Sequence, residues 1–406
     1  MAFSIIIPAW NLWETTLACL RSLAAQDEGE ALLAEVLVVD NGSTDATATE
    51  LAAAGEALFG SRFTRLRLEE NLGFAAGCNA GARAARGSLL LFLNNDTTVA
   101  SPWLAPLHEA LQNDGVGAAG PLLLYPDGRN QHCGICFSLF GNPGHLYARF
   151  PGSHPALCRP HALQAITGAC LALRRADFDA CGGFDEGYRN GYEDMDLCFA
   201  LRRRGLALRV VPESIVIHHE GRTPGRKAYN EANADLFAAR WGDVVRPDIH
   251  RLVQSDGYAA CLSPQLVTYL QPCAERLPEL AATPDREDAL KRALEQEPLW
   301  LDGWLRLAAL QEQAGQGAAA LESLGEAVSF FPIPTAQRAL LTCARRQGKN
   351  PLADAVLNML RDTPDAARLR RQQARHARNL AVQHGDQNKI QRPQPYKTAG
   401  PGRKII

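Results

Sequence analysis

Residues 89–100 read LLLFLNNDTTVA. Five unbroken apolar residues leave no polar face, which is the pattern of a strand covered on both sides of a sheet. The chain then turns polar within one residue, at Asn94-Asn95-Asp96. A buried parallel strand ending in a carboxylate puts that group beyond the carboxyl end of the strand, where open α/β sheets bind ligands.

Upstream segments repeat the theme. Ser4–Pro8, Glu35–Val39 and Thr64–Leu68 are strand-like, and helical spacing follows at Glu14–Ala25, around Leu51 and over Asn71–Ala85. The alternation predicts βαβ units and a mostly parallel, Rossmann-like sheet flanked by helices. Asp40 and Asp96 both follow strands directly, so they are expected on one rim. Thr44 or Asp45 is the expected cap of the helix through Leu51. The first turn, PAWNLWE, lacks the glycines of a dinucleotide fingerprint, and no P-loop is present. Gly73, Gly77 and Gly81 recur every four residues, which sets them on one helix face for close packing or backbone approach.

Bulk properties narrow the class. The 406 residues suit two or three domains, and 46% apolar with 21% charged residues suits a soluble globular protein. A net charge of −2 gives no field favouring nucleic acid or membrane. No apolar run is long enough to span a bilayer. Eleven cysteines without disulfide-like regularity predict reduced thiols in the cytoplasm, with a peripheral place at the inner membrane face left open.

Residues 126–165 are rich in Gly, Pro and His and weakly periodic, predicting a long loop or irregular sheet. Within them HCGIC, taken with Cys158 and His161, supplies only half of a zinc pattern. After about residue 245 the βα rhythm stops. Pro298 and Pro332 are 34 residues apart, and Trp304, Leu307, Ala308, Ala320, Leu324 and Ala327 take the offsets of a tetratricopeptide repeat. The expected division is an α/β domain over 1–245, a helical linker over 246–280, an all-α repeat-like domain over 281–365 and a basic, disordered tail over 366–406. That tail carries ten Lys/Arg and one acid, Asp386.

The ordered set SIIIPAWN, VLVVDNGSTDAT, NLGFAAGCNAG, FLNNDT, ITGACLALRR, GGFDEGY, YEDMDLCFALRRRG and IHHEGRT resembles the family-two inverting glycosyltransferases of GT-A fold, in particular bacterial rhamnosyltransferase-like members. The resemblance covers about residues 3–242. It implies a UDP- or dTDP-sugar donor, with Pro8, Ala9 and Asn11 lining the nucleotide pocket and Asp40 at the base. Asn71, Gly73 and Asn79 match a further donor-side motif. FLNNDT stands where the family carries its D-x-D metal motif, so Asp96 is the implied ligand of Mg²⁺ or Mn²⁺. Asn94, in place of the first acid, and Asn95 are then donor-side contacts, Asn94 to ribose or a metal-bound water. His218 matches a late histidine that completes the metal site, with His219 the alternative. Arg222, Arg226 and Lys227 are expected either to close over the diphosphate or to form a solvated basic loop. Asp194 takes the position of the catalytic base, with Glu193 beside it, and Asp196 is the expected helix-start residue.

The function implied is metal-assisted, direct displacement of a nucleoside diphosphate by a hydroxyl of a glycan or lipid-linked acceptor, as in polysaccharide biosynthesis. Two rivals remain at this level. One is a protein acceptor held by the helical domain. The other is an inactive scaffold recruiting protein partners, against which Asp96, Asp194 and His218 stand. Nucleic-acid binding by the tail finds few aromatics for base stacking.

Overall fold

The structure is a computed structural model that describes residues 2–26, 32–220 and 229–361. Arg222, Arg226, Lys227 and the basic tail lie outside the described residues. The strands of the main sheet are β1 (Phe3–Ala9), β2 (Leu33–Asn41), β3 (Phe63–Leu68), β4 (Leu89–Leu93), β5 (Thr97–Val99), β6 (Val116–Leu124) and β7 (Asn130–His132). A small pair, β8 (Ile135–Phe137) and β9 (Pro143–His145), follows, and then β10 (Cys170–Arg174) and β11 (Ala207–His218) return to the main sheet. Its order is β3-β2-β1-β4-β10-β6-β11-β5, with β7 beside β6.

β4 shows why its sequence is apolar without a break. Leu90 and Phe92 enter the core on one face of the sheet, while Leu89, Leu91 and Leu93 enter the core on the other. Helices Trp13–Ala24, Thr47–Phe59 and Leu104–Ala110 cover the second face. Phe74–Ala84, Arg175–Cys181, Glu193–Arg203 and Asn230–Trp241 cover the first. Of the three regularly spaced glycines, Gly81 serves close packing, since a Cβ there would lie 2.4 Å from the Ile6 side chain, whereas Gly73 precedes the helix.

The sheet is mixed rather than mostly parallel. β1 pairs in parallel with β2 and β4, and β2 with β3, but β10 runs antiparallel to both β4 and β6, and β11 antiparallel to β5. This is the GT-A-like arrangement, a mixed sheet flanked by helices with a helical region after it. Part of this is hidden in sequence because β5 and β7 have three residues each, too few for a period to show, and strand direction carries no sequence period. β11 is one long strand whose pairing with β6 shifts register between Val211 and Ile215.

The span 246–280 is not a purely helical linker. It holds the hairpin β12 (Tyr258–Leu262) and β13 (Thr268–Pro272) between short helices. The two strands pair antiparallel, Tyr258 opposite Pro272 and Leu262 opposite Thr268, about a turn closed by the Ser263 amide on the Val267 carbonyl. Helices Glu287–Gln296, Leu301–Gln313, Gly317–Phe330, Pro334–Arg346 and Asn350–Arg361 follow. All six residues at the inward repeat offsets are buried.

The change of rhythm near residue 245 does not coincide with a break in the core. Leu122, Cys133, Cys136, Leu146, Tyr147, Phe150 and Leu157 share one apolar cluster with Leu252, Tyr258, Leu290, Trp300, Trp304 and Phe330. Glu326 of the helical region accepts from both Arg129, at 2.7 Å, and Arg149, at 2.6 Å. The irregular stretch is thus the seam on which the helices sit. Its thiols are spent locally: Cys133 Sγ donates to the Leu146 carbonyl and Cys136 Sγ to that of Gly144. Among the described residues no helix is long and apolar enough to cross a membrane.

Candidate functional site

Parallel pairing sets the ends of β1, β2 and β4 side by side, with Ala9 opposite Asp40 and Ile6 opposite Phe92. Pro8 and Ala9 close β1. Asn11 follows in the left-handed region (φ 55°), and so does Leu12 (φ 59°), a rare conformation for leucine that concentrates at functional loops. Asn11 Oδ1 accepts from the amides of Thr44 and Asp45, at 2.8 and 3.3 Å, and its own amide donates to Ser43 Oγ. The β1 and β2 turns are therefore one unit. Asp45 holds two helix starts, accepting from the Trp13 and Thr47 amides at 3.0 Å each.

Asp40, expected at the nucleotide base, is gripped by protein groups. Its side chain is fully enclosed; Oδ1 accepts from the Ser43 amide, and Oδ2 from Arg65 at 2.5 Å and Arg67 at 2.6 Å. Burial pushes its carboxyl pKa upward, but Arg67, the Ser43 amide and Arg65 outweigh that and hold it below the usual 3.8. This carboxylate fixes two arginines and a turn. The neighbouring Asn41 donates to Asn71 Oδ1 and the Gly73 carbonyl, and accepts from the Leu72 amide. Gly73 (φ 88°) opens the helix Phe74–Ala84, and the Phe74 amide is met by Asn190 Oδ1 at 3.1 Å. Asn79 does not face this rim. Its amide is spent on Phe184 and Glu186, where it clamps the Gly183 loop to the helix. The signal that misled is the motif's contiguity: Asn79 lies more than a turn into the helix, on its buried face.

Asp96 and His218 come together as expected. Asp96 Oδ1 lies 3.1 Å from His218 Nε2, and Asn94 Nδ2 lies 3.3 Å from the same nitrogen. Both side chains are nearly enclosed. β5 pairs with the end of β11 and so carries the turn after β4 to the histidine. His219 Nε2 instead lies 3.5 Å from Thr98 Oγ1, while its amide donates to the Asp96 carbonyl. Asn95 turns away and donates to Thr16 Oγ1 on the helix Trp13–Ala24. A carboxylate oxygen and an imidazole nitrogen converging at one point fit a divalent cation that takes few protein ligands and completes its shell with diphosphate oxygens and water.

At the other side of the site, Tyr192 (φ 76°) sets the start of the helix Glu193–Arg203. Asp194 Oδ2 accepts from the Gly168 amide at 2.7 Å and Oδ1 from the Met195 amide at 2.8 Å, while the residue remains partly exposed. Each oxygen keeps a lone pair for a proton. Glu193 is buried instead, and its Oε2 accepts from the Gly191 amide of the preceding loop at 2.7 Å. Asp196 is more than a helix-start residue: Oδ1 accepts from Tyr188, Arg240 and Trp241, at 3.2, 2.8 and 2.6 Å.

Sequence reading missed Gln131, Asn41 and Asn190. The first sits in a stretch with no period; the others are ordinary turn residues whose partners are 30 or more positions away.

The family described as Glycosyl transferase family 2 matches residues 4–182. The O-antigen biosynthesis protein RfbC of Myxococcus xanthus is 34% identical over 250 residues, 60% of this chain and 19% of that protein. An uncharacterized protein, y4gI, of Sinorhizobium fredii is 35% identical over 221 residues, 51% of this chain and 24% of its own length. This chain therefore spans a quarter or less of the length of these two relatives. The N-acetylglucosaminyl-diphospho-decaprenol L-rhamnosyltransferase of Mycobacterium tuberculosis is 29% identical over 220 residues, 47% of this chain and 68% of that one. Among solved structures, GalNAc-T7 with UDP, GalNAc and Mn²⁺ overlaps 63% of this chain and 54% of its own at 20% identity, with a TM-score of 0.47. Residues 4–182 of this chain are thus similar to glycosyl transferase family 2, and the matched segment holds β1, β2 and β4 with the turns that follow them.

Proposed function

We propose that the protein is an inverting glycosyltransferase that moves a sugar from a UDP- or dTDP-type donor to a hydroxyl of a glycan or lipid-linked acceptor. The observation that carries this reading is the convergence of Asp96 Oδ1 and His218 Nε2, 3.1 Å apart, on the rim that also carries the β1 and β2 turns. The names of the Myxococcus and Mycobacterium relatives favour a glycan or lipid-linked acceptor over a polypeptide.

Asp96 and His218 would hold Mg²⁺ or Mn²⁺, which when bound neutralises charge on the leaving diphosphate. Pro8, Ala9, Asn11, Asn71, Gly73 and Asn94 form the donor side. Asp194 takes the proton of the acceptor hydroxyl as that oxygen forms its bond to the anomeric carbon. The bond to the diphosphate breaks on the opposite side, so the configuration inverts. The Gly168 and Met195 amides hold the Asp194 carboxylate for that role. Glu193, Asp40 and Asn79 support the loops around it.

Donor hydrolysis screened across UDP-, dTDP- and GDP-sugars, with and without chelator, tests the reading. Turnover of a UDP- or dTDP-sugar that chelator abolishes, with the product anomer inverted in proton NMR, is the expected result. Retained configuration overturns the displacement mechanism, and chelator-resistant turnover overturns the metal role.

A further inference from the structure

His218 is held from behind by a side chain that no motif predicts. Gln131, on β7, is 3% exposed, and its Oε1 lies 2.6 Å from His218 Nδ1. The orientation of this amide decides the chemistry of the ring. Gln131 Nε2 faces the His218 carbonyl oxygen at 3.4 Å and Glu220 Oε2 at 3.3 Å. Both are acceptors, so the NH₂ belongs there and Oε1 faces the imidazole. An amide oxygen only accepts, so Nδ1 carries the hydrogen. The Nε2 lone pair then points to Asn94 Nδ2 and Asp96 Oδ1.

That tautomer is not the one a histidine in water prefers, which bears its hydrogen on Nε2. Left to itself, the ring would present an N–H to Asp96 and donate to it. In the neutral Nδ1–H form, by contrast, nitrogen and carboxylate can bind the same cation. β7 is well placed to impose it. Asn130 donates to the Leu146 and Tyr147 carbonyls, His132 Nε2 accepts from the Thr167 amide, and Arg129 is tied to Glu326. The strand is thus braced by the helical region.

We propose that Gln131 is a positioning residue that locks His218 in its Nδ1–H tautomer and so aims the Nε2 lone pair at the cation position beside Asp96. The inference rests on the reading of Asp96 and His218 as cation ligands, but the tautomer it predicts is measurable without a metal.

The experiment uses the full chain with ¹⁵N-labelled histidine, metal-free, at about pH 9, above the ordinary imidazole range. The His218 signals are identified by their loss in His218→Ala. Wild type should show a pyrrole-type Nδ1 and a pyridine-type Nε2, and Gln131→Leu the reverse. The paired exchange Gln131→Glu with Glu220→Gln rebuilds an acceptor at Nδ1 and a donor toward residue 131, and should restore the wild-type pattern. Mn²⁺ affinity in the presence of UDP, read from free Mn²⁺ by electron paramagnetic resonance, should fall about 10–100-fold in Gln131→Leu and recover in the exchange. Circular dichroism melts separate this from misfolding, since the exchange and wild type are compared at equal stability. An Nε2–H tautomer in wild type, or an unchanged one in Gln131→Leu, overturns the inference. Equal Mn²⁺ affinity in wild type and His218→Ala overturns the cation reading instead, while the tautomer comparison still decides the role of Gln131.

Discussion

The Gly168 amide donates to Oδ2 of Asp194 at 2.7 Å, joining the loop before β10 to the start of the helix Glu193–Arg203. With the Met195 amide on Oδ1, it offers the carboxylate one backbone N–H per oxygen. Asp194→Asn must set an NH₂ against one of these donors, so it loses both basicity and placement. Transfer should fall roughly 10²–10⁴-fold, while calorimetric donor affinity stays within a few-fold. Gly168→Ala places a Cβ 3.1 Å from that of Asp194 and should lower transfer less, again with donor affinity kept. A rate loss under tenfold in Asp194→Asn would exclude it as the base.

The parts of this site that were legible in the sequence are those whose structure is local. β4 announces itself because both of its faces are buried, and Asp96 because it ends that strand. Asp194 and His218 were reached through ordered motifs. The antiparallel half and the partners of Asp40, Asn79 and Gln131 were not legible, for a common reason. Their bonds to Arg65, Glu186 and His218 join residues 25, 107 and 87 positions apart, separations that no local period records. Asp196 shows the same limit: its position at a helix start is readable, but the burial of its oxygen beneath Arg240 and Trp241 is not.

Asp196→Asn should therefore cost stability more than rate. Removing the charge weakens the contact to Arg240, which keeps Asp185 at 2.6 Å, and leaves the Trp241 and Tyr188 donors with a poorer acceptor. Breaking a buried pair costs about 3–5 kcal/mol, and the retained Asp185 contact puts this case near 3. Urea unfolding measures the loss. A midpoint equal to wild type, or a loss of transfer matching that of Asp194→Asn in a stably folded variant, contradicts the assignment.

Asp40 gives the fold a defined acid response. Its folded pKa lies below the ordinary 3.8, so its contribution is full above that value and is lost as pH falls through the folded pKa. Asp40→Asn should unfold earlier than wild type at neutral pH, with the gap closing as pH drops below 3.8. Thermal midpoints from pH 2 to 7 test the sign. A gap that widens in acid runs against the ion-paired picture.

The last prediction concerns the boundary near residue 245. Ending the chain there removes the helices that cover β7–β9 and deletes Glu326, the partner of Arg129 and Arg149. Leu122, Leu146, Tyr147, Phe150 and Leu157 would lose their cover. Full burial of such side chains is worth about 1.5–3 kcal/mol each. If half of that persists among their own neighbours, as between the Tyr147 and Phe150 rings, five of them lose about 4–8 kcal/mol. Domains are stable by only about 5–15 kcal/mol, so the loss takes most of the margin. The fragment 1–245 should aggregate or unfold without cooperativity, and its UDP affinity should fall, because β7 also carries Gln131 behind His218. The fragment 1–361, which keeps every described helix, should match the full chain in both respects. Size-exclusion chromatography and calorimetry with UDP compare the two. A monomeric 1–245 fragment that binds UDP as the full chain does would show that the two parts fold independently and that the shared core is a docking contact rather than a structural requirement.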